Sequence, residues 1–247
     1  LTKQVYGWKK DKADTRDYEY VPKTTVLPPL VDLRLKCPGI YDQGQLGSCT
    51  ANAAAGVLEF DMLLQGETDA TPSRLFIYYN TRDIEGTTQE DSGASIRDTI
   101  KSVTQFGACP ESEWPYDISQ FTVKPDVRSY TDGLLHKAVI YKKVGHSQKA
   151  LKAALASGRP VIFGFTCYES LEYDTTTQTG YIPYPKKSEQ EIGGHAIELV
   201  GYDDSQEKFF IRNSWGTRWG LSGYGSMDYK YITSKLASDF WVVETVE

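Results

Sequence analysis

The patterning of this 247-residue chain changes character part-way along. Up to about Gly158 the regular segments read as helices, and beyond it they read as short strands. Ser48 stands as the N-cap of a helix running to about Gln65, with Ala51, Ala54, Ala55, Leu58 and Met62 on one face and Gly66 placed to end it. Thr71-Pro72-Ser73 opens a second helix through Leu75, Ile77 and Tyr78. Ala94 to Phe106 is a third, closed by Gly107 at a C′ position, and Ser147 to Ser157 is a fourth, with Gly158 after it. Val161 to Thr166, Ala196 to Tyr202, Lys208 to Asn213, Gly223 to Asp228 and Phe240 to Val243 read as strands, and Asp203-Asp204-Ser205 is turn-like. Helices and then strands, kept apart along the chain, predict an α+β molecule with a helical lobe and a sheet lobe.

Residues 1–26 obey neither pattern. They mix charge with aromatics, as in Gly7-Trp8-Lys9-Lys10-Asp11-Lys12, and read as an extended arm. Leu27-Pro28-Pro29-Leu30 is a stiff link to the compact domain, 27–247, which begins at about Val31-Asp32-Leu33-Arg34. The domain is 40% hydrophobic and 24% charged over the whole chain, a composition that packs a core. No apolar run approaches the roughly 18 residues of a membrane span. The net charge of −6, with dispersed basic residues, argues against nucleic acid as a partner. The four cysteines, Cys37, Cys49, Cys109 and Cys167, show no zinc-ligand spacing, so neither metal nor organic cofactor is expected. Three spare cysteines permit at most one disulfide, and no N-glycosylation sequon is present. Secreted, periplasmic and cytoplasmic locations all stay open.

Cys49 has the strongest chemical context. It opens the first helix, where the positive end of the helix dipole favours a thiolate, and Gln43 precedes it by six residues. His195, in Gly193-Gly194-His195-Ala196, is the best partner for a thiolate–imidazolium pair. His136 and His146 sit in polar or lysine-bearing contexts without the flanking small-residue turn. Asn213 can accept from the other imidazole nitrogen. The Gln43 amide and the Cys49 N–H can stabilise an oxyanion. A lone cysteine is more often a buried small hydrophobe than a nucleophile. The joint occurrence of Cys, His and Asn in this order and local sequence reverses that expectation.

These segments resemble the papain family of cysteine proteases. That family carries Gln-Gly-x-x-Gly-Ser-Cys, and Asn-Ser-Trp-Gly-x-x-Trp-Gly-x-x-Gly-Tyr matches Asn213 to Tyr224 at every fixed position. The Cys49–His195 spacing of 146 residues falls within the family's range of about 130–150. Leu46 stands where the family usually has a disulfide cysteine, Glu90 stands at about its partner's position, and Thr50 replaces the usual Trp. The resemblance implies a two-lobed fold with the active site in the cleft between a helical N-terminal lobe and an antiparallel, barrel-like C-terminal lobe. It further implies an endopeptidase acting through a thioester, on peptide or protein substrates. Trp215 would shield the Asn213–His195 bond, and Trp219 would form an apolar platform on the leaving-group side. Gly93, after Ser92, would pair with the backbone of a substrate's P2 residue. Ala94, Ser95, Gly164, Gly194 and Ala196 would line a roomy substrate pocket, with Ser238 at its base. A monomer is expected. The arm, which resembles short arms of some microbial members, is expected either to pack along the domain or to cover part of the cleft and delay activation until cleavage near Leu27. Two alternatives stay open: a thiol acyltransferase or amidase, and a non-catalytic binding protein on the same scaffold.

Overall fold

A computed structural model describes residues 4–22, 26–67, 71–135 and 138–245; His136 lies outside them. The helices are α1 (Cys49–Leu64), α2 (Arg74–Glu85), α3 (Ile96–Phe106), α4 (Val127–Gly133), α5 (Gln148–Ala156), α6 (Asp174–Thr179) and α7 (Tyr229–Thr233). The strands are β1 (Trp8–Lys9), β2 (Leu30–Asp32), β3 (Ala94–Ser95), β4 (Ala138–Lys143), β5 (Val161–Tyr168), β6 (Tyr181–Ile182), β7 (Glu191–Asp203), β8 (Lys208–Arg212), β9 (Tyr224–Asp228) and β10 (Ala237–Thr245).

Local chemistry sets the helix starts. Ser73, Ser95 and Ser147 each accept a hydrogen bond from a backbone N–H three residues on, capping α2, α3 and α5. Ser48 departs from expectation. It occupies the cap position of α1, but its hydroxyl makes no cap bond and instead meets Asn52 Nδ2 and Tyr116. The third helix also starts two residues later than the sequence predicts, because Ala94 and Ser95 pair as a strand with the arm before the helix begins at Ile96.

Among the described residues the main sheet runs β4-β10-β5-β7-β8-β9-β6, with β2 alongside β7. It is antiparallel except for the β6–β9 pair. Phe163, Phe165, Leu199, Phe209, Ile211 and Phe240 fill the core of this lobe. A second core joins α1, α2 and α3 through Ala51, Leu58, Leu75, Ile77, Ile100 and Val103, and takes Trp241 from β10. Helix α1 is enclosed on all sides from Cys49 to Met62 rather than on one face, because both lobes pack against it. Its small alanines allow that approach, and its N-terminus opens where the two lobes meet.

Candidate active site

Four segments converge at the start of α1. The turn from Asp42 to Ser48 delivers Cys49, the middle of β7 carries His195, the end of β8 leads into Asn213, and the loop after it carries Trp215 and Trp219. His195 Nε2 lies 2.8 Å from Asn213 Oδ1. The Ser214 N–H donates to the same oxygen at 2.8 Å, which fixes the amide's orientation and makes Nε2 the protonated nitrogen. Nδ1 is buried with no partner among the described residues, so it is the ring nitrogen left for proton transfer. Trp215 stacks on the imidazole, with centroids 4.5 Å apart and planes 19° apart, and Trp219 meets Trp215 edge-on at 5.7 Å. The indoles thus bury the His195–Asn213 bond.

Gln43 is held through both its backbone and its side chain. Its N–H donates to Ser214 O at 2.8 Å, its Oε1 accepts from Ser214 Oγ at 2.7 Å, and its Nε2 donates to Leu46 O at 3.0 Å. Ser214 therefore points the Gln43 amide, a role that sequence reasoning missed although the residue lies in the motif. The Cys49 sulfur is fully enclosed. Burial raises its pKa to about 11, against the opposing pull of nearby backbone groups of Ala196, Gly7, Thr50 and Cys49 itself. Burial likewise lowers His195 to about 4, opposed by Asn213. In this covered arrangement desolvation is the largest influence on both groups, and it favours the thiol and the neutral imidazole.

The arm packs over this pair. Tyr6 lies edge-on to both His195 and Trp215, with centroids at 6.4 and 6.3 Å, and its hydroxyl donates to Glu172 at 2.8 Å. Val5 O accepts from Gln43 Nε2 at 3.3 Å, and Gly7 O accepts from Ala94 N at 2.7 Å. Trp8 pairs in parallel register with Ala94 and seats its indole on Gly164 and Gly194, where an added Cβ at 164 would overlap the ring. Gly164, Gly194 and Ala94 thus all adjoin Trp8, and Ser238 lies beside Gly164 in register. Gly93, at φ +66°, approaches the Gly7 carbonyl so closely that any side chain would overlap it. The Ser92 hydroxyl is instead paired with Thr87 at 2.8 Å. Beyond the cleft, Arg97 clamps the arm through the Asp17 carboxylate, Lys12 O and, by its own N–H, Asp11 Oδ1 at 3.0 Å. A glycine next to a tryptophan in an otherwise charged arm was the one sequence signal for this placement.

Fold and site together define a thiol hydrolase of the Cys–His–Asn kind. The model of the papain family of cysteine proteases matches residues 27–242, and the chain belongs to that family. It is similar to a solved cysteine protease, xylellain from Xylella fastidiosa, at 42% identity and a TM-score of 0.91, covering 100% of this chain and 99% of that one. It is 44% identical over 215 residues to an uncharacterized peptidase C1-like protein of Acanthamoeba polyphaga mimivirus, spanning 83% of this chain and 69% of the relative. It is 32% identical to cysteine proteinase 2 of Entamoeba histolytica, over 86% of this chain and 67% of the relative. The protein is a cysteine peptidase with the α+β, two-lobed fold of that family.

Proposed function

We propose that the chain is an endopeptidase whose own arm holds it back. His195 Nδ1 takes the Cys49 thiol proton as the sulfur attacks the scissile carbonyl, Gln43 and the Cys49 N–H stabilise the oxyanion, and the imidazolium gives that proton to the leaving amine before the neutral ring activates water against the thioester. Asn213 keeps the imidazole in its tautomer. The observation that carries this reading is that Gln43 Nε2, the oxyanion donor, already faces a peptide carbonyl, that of Val5 at 3.3 Å.

Polarity explains why the arm occupies the site without being cut. A substrate with P2 on Gly93 and its leaving amine toward His195 and Trp219 runs from the Gly93 side to the Trp219 side. The arm runs the other way, with Tyr6 beside His195 and Trp215 and Trp8 beside Ala94. Its peptide bonds are presented with the leaving nitrogen on the wrong side of the nucleophile. The Trp8 indole on Gly164 further supports a pocket that accepts a large aromatic P2 side chain.

Hydrolysis of a blocked dipeptidyl coumarin amide with Phe at P2 tests the reading. Cys49→Ala is expected to abolish turnover and leave the fold intact, and Asn213→Ala to leave partial activity. Gly7→Ala, whose added Cβ would overlap Gly47 O, is expected to raise full-length activity by about tenfold or more, equivalent to about 1.4 kcal/mol of docking. An active Cys49→Ala chain refutes the mechanism, and unchanged activity in Gly7→Ala refutes the inhibitory arm. Product analysis with added amine separates hydrolysis from acyl transfer.

A further inference from the structure

We infer that Asp91 is a positioning residue for this hydrolysis, tying the turn that delivers Cys49 to the backbone edge on which a peptide is held. The inference rests on the reading of Gly93 as the segment that pairs with substrate. Both carboxylate oxygens of Asp91 lie 3.0 Å from the Gly47 N–H, two residues before the nucleophile. Oδ1 also accepts from the Tyr78 hydroxyl at 2.6 Å, and that hydroxyl accepts from the Gly93 N–H at 3.1 Å. A continuous chain of hydrogen bonds therefore runs Gly47–Asp91–Tyr78–Gly93, within the helical lobe, from the turn before the nucleophile to the segment read as pairing with substrate.

Each end of this chain is anchored. Tyr78 is fully buried on α2, with the Arg82 guanidinium 4.1 Å from its ring centroid. Arg82 donates to Thr88 O at 2.8 Å and Glu90 O at 3.0 Å, gripping the loop that carries Asp91 from beneath. Desolvation lowers the Arg82 pKa, and the nearby Asp91 charge acts against that. Gly47 and Asp91 adjoin Leu46 and Glu90, the positions at which the family resemblance would place paired cysteines. All four cysteines here are free, and a carboxylate makes the tie instead.

The tie sets a width. The arm passes between these two segments as bare backbone, with Gly7 against Gly47 O on one side and its carbonyl on Ala94 N at 2.7 Å on the other. A substrate backbone paired with Gly93 uses the same passage. Losing Asp91 would let the two segments part, which weakens peptide binding before it alters the thiol. That separates positioning from a general structural role.

The test uses the full-length Gly7→Ala chain, with the dipeptidyl coumarin amide as substrate and iodoacetamide alkylation of Cys49 as a measure of the thiol alone. Asp91→Ala is expected to raise KM about tenfold, the scale of a lost charge-assisted hydrogen bond, while alkylation stays within about twofold. Asp91→Asn, which keeps an acceptor for Gly47, should recover most of the loss, and Tyr78→Phe should raise KM by an intermediate factor. KM unchanged in Asp91→Ala overturns the proposal. So does a parallel fall in kcat and alkylation that Asp91→Asn does not restore. If Asp91→Ala fails to fold, Tyr78→Phe decides, and an unchanged KM there overturns it. A Gly7→Ala chain that hydrolyses nothing overturns the site reading and this proposal with it, whereas unchanged KM in an active chain overturns this proposal alone.

Discussion

At the scale of single residues, the site is assembled but electrostatically silent. Cys49, pushed up to about 11 by burial, and His195, pushed down to about 4 by the same cause, remain neutral together at pH 7. A raised thiol pKa means that the covered state is favoured fully below the ordinary value near 9 and loses that advantage as pH rises toward 11. Alkylation of Cys49 by iodoacetamide in the full-length chain should accordingly show an apparent pKa well above 9, and Gly7→Ala should move it down by two units or more. A wild-type midpoint below about 8 would show that the thiol is not sealed. The candidate catalytic residues proposed above stood out because the chemistry constrains them locally: a Gln at a fixed offset from a helix-opening Cys, and a His and an Asn beside small residues and tryptophans. Ser214, Asp91 and Tyr78 were not legible in those roles. Their partners lie far off in sequence, at Gln43 for Ser214 and at Gly47 and Gly93 for the other two.

At the scale of elements, the arm is the least regular segment and the most consequential. Among its described residues it forms the two-residue β1 and a single bridge from Glu19 to Lys143, and separate anchors hold it to the domain: Tyr6 on Glu172, Trp8 on Gly164, and Asp11 and Asp17 on Arg97. No periodicity marks such a segment, because its partners lie on other elements; its path could not be read in advance, whereas the capped helices could. Asp11 is a weak point. Its pKa is raised to about 6, first by burial and then by the Asp239 charge, although Arg97 N and Trp241 Nε1 donate to it. Its contribution to docking is full below the ordinary 3.8 and lost as pH rises through 6. His195 acts in the opposite sense, weakening docking as pH falls from 6.5 toward 4. Asp239→Asn removes the like charge, keeps an acceptor for the Asp11 N–H and suits the backbone, since Asp239 has φ +59°. Activity of the full-length variant, as a ratio to the Gly7→Ala chain at each pH, should fall severalfold at pH 7 and match wild type below about pH 4. A ratio unchanged at pH 7, or raised, would contradict this sign.

At the scale of the whole molecule, two cores must be held in one relation for the cleft to work, and α1 is the element they share. The lobes themselves were legible in the split between helical and strand-like halves. Their joint was not, because it depends on a buried ion pair made across β7 and β8. Arg212 Nη1 donates to Glu198 Oε1 at 2.7 Å and Nη2 to Gly39 O at 2.6 Å, with the guanidinium 4.7 Å from the Tyr41 ring centroid. Burial pushes Glu198 up to about 7 against the pull of Arg212, so the pair is costly to hold and costlier to break: removing one partner from such a pair costs about 3–5 kcal/mol. Helix α1 crosses this pair at Gly56, where a Cβ would overlap both Arg212 Nη1 and Glu198 Oε1. Two effects then oppose each other in Gly56→Ala. Helix propensity alone gives a gain of about 1 kcal/mol. Overpacking a close-fitted interior costs about 1–3 kcal/mol, and here the displaced groups are charged and cannot be turned to water. The second effect should win, lowering the melting temperature by several degrees, since each kcal/mol is worth about 2–4 °C in a chain of this size. Because Cys49 heads the same helix, kcat/KM of the variant in the Gly7→Ala background should fall as well. A melting temperature equal to or above wild type would mean that α1 can move off the ion pair, and that the lobes are not locked at this point.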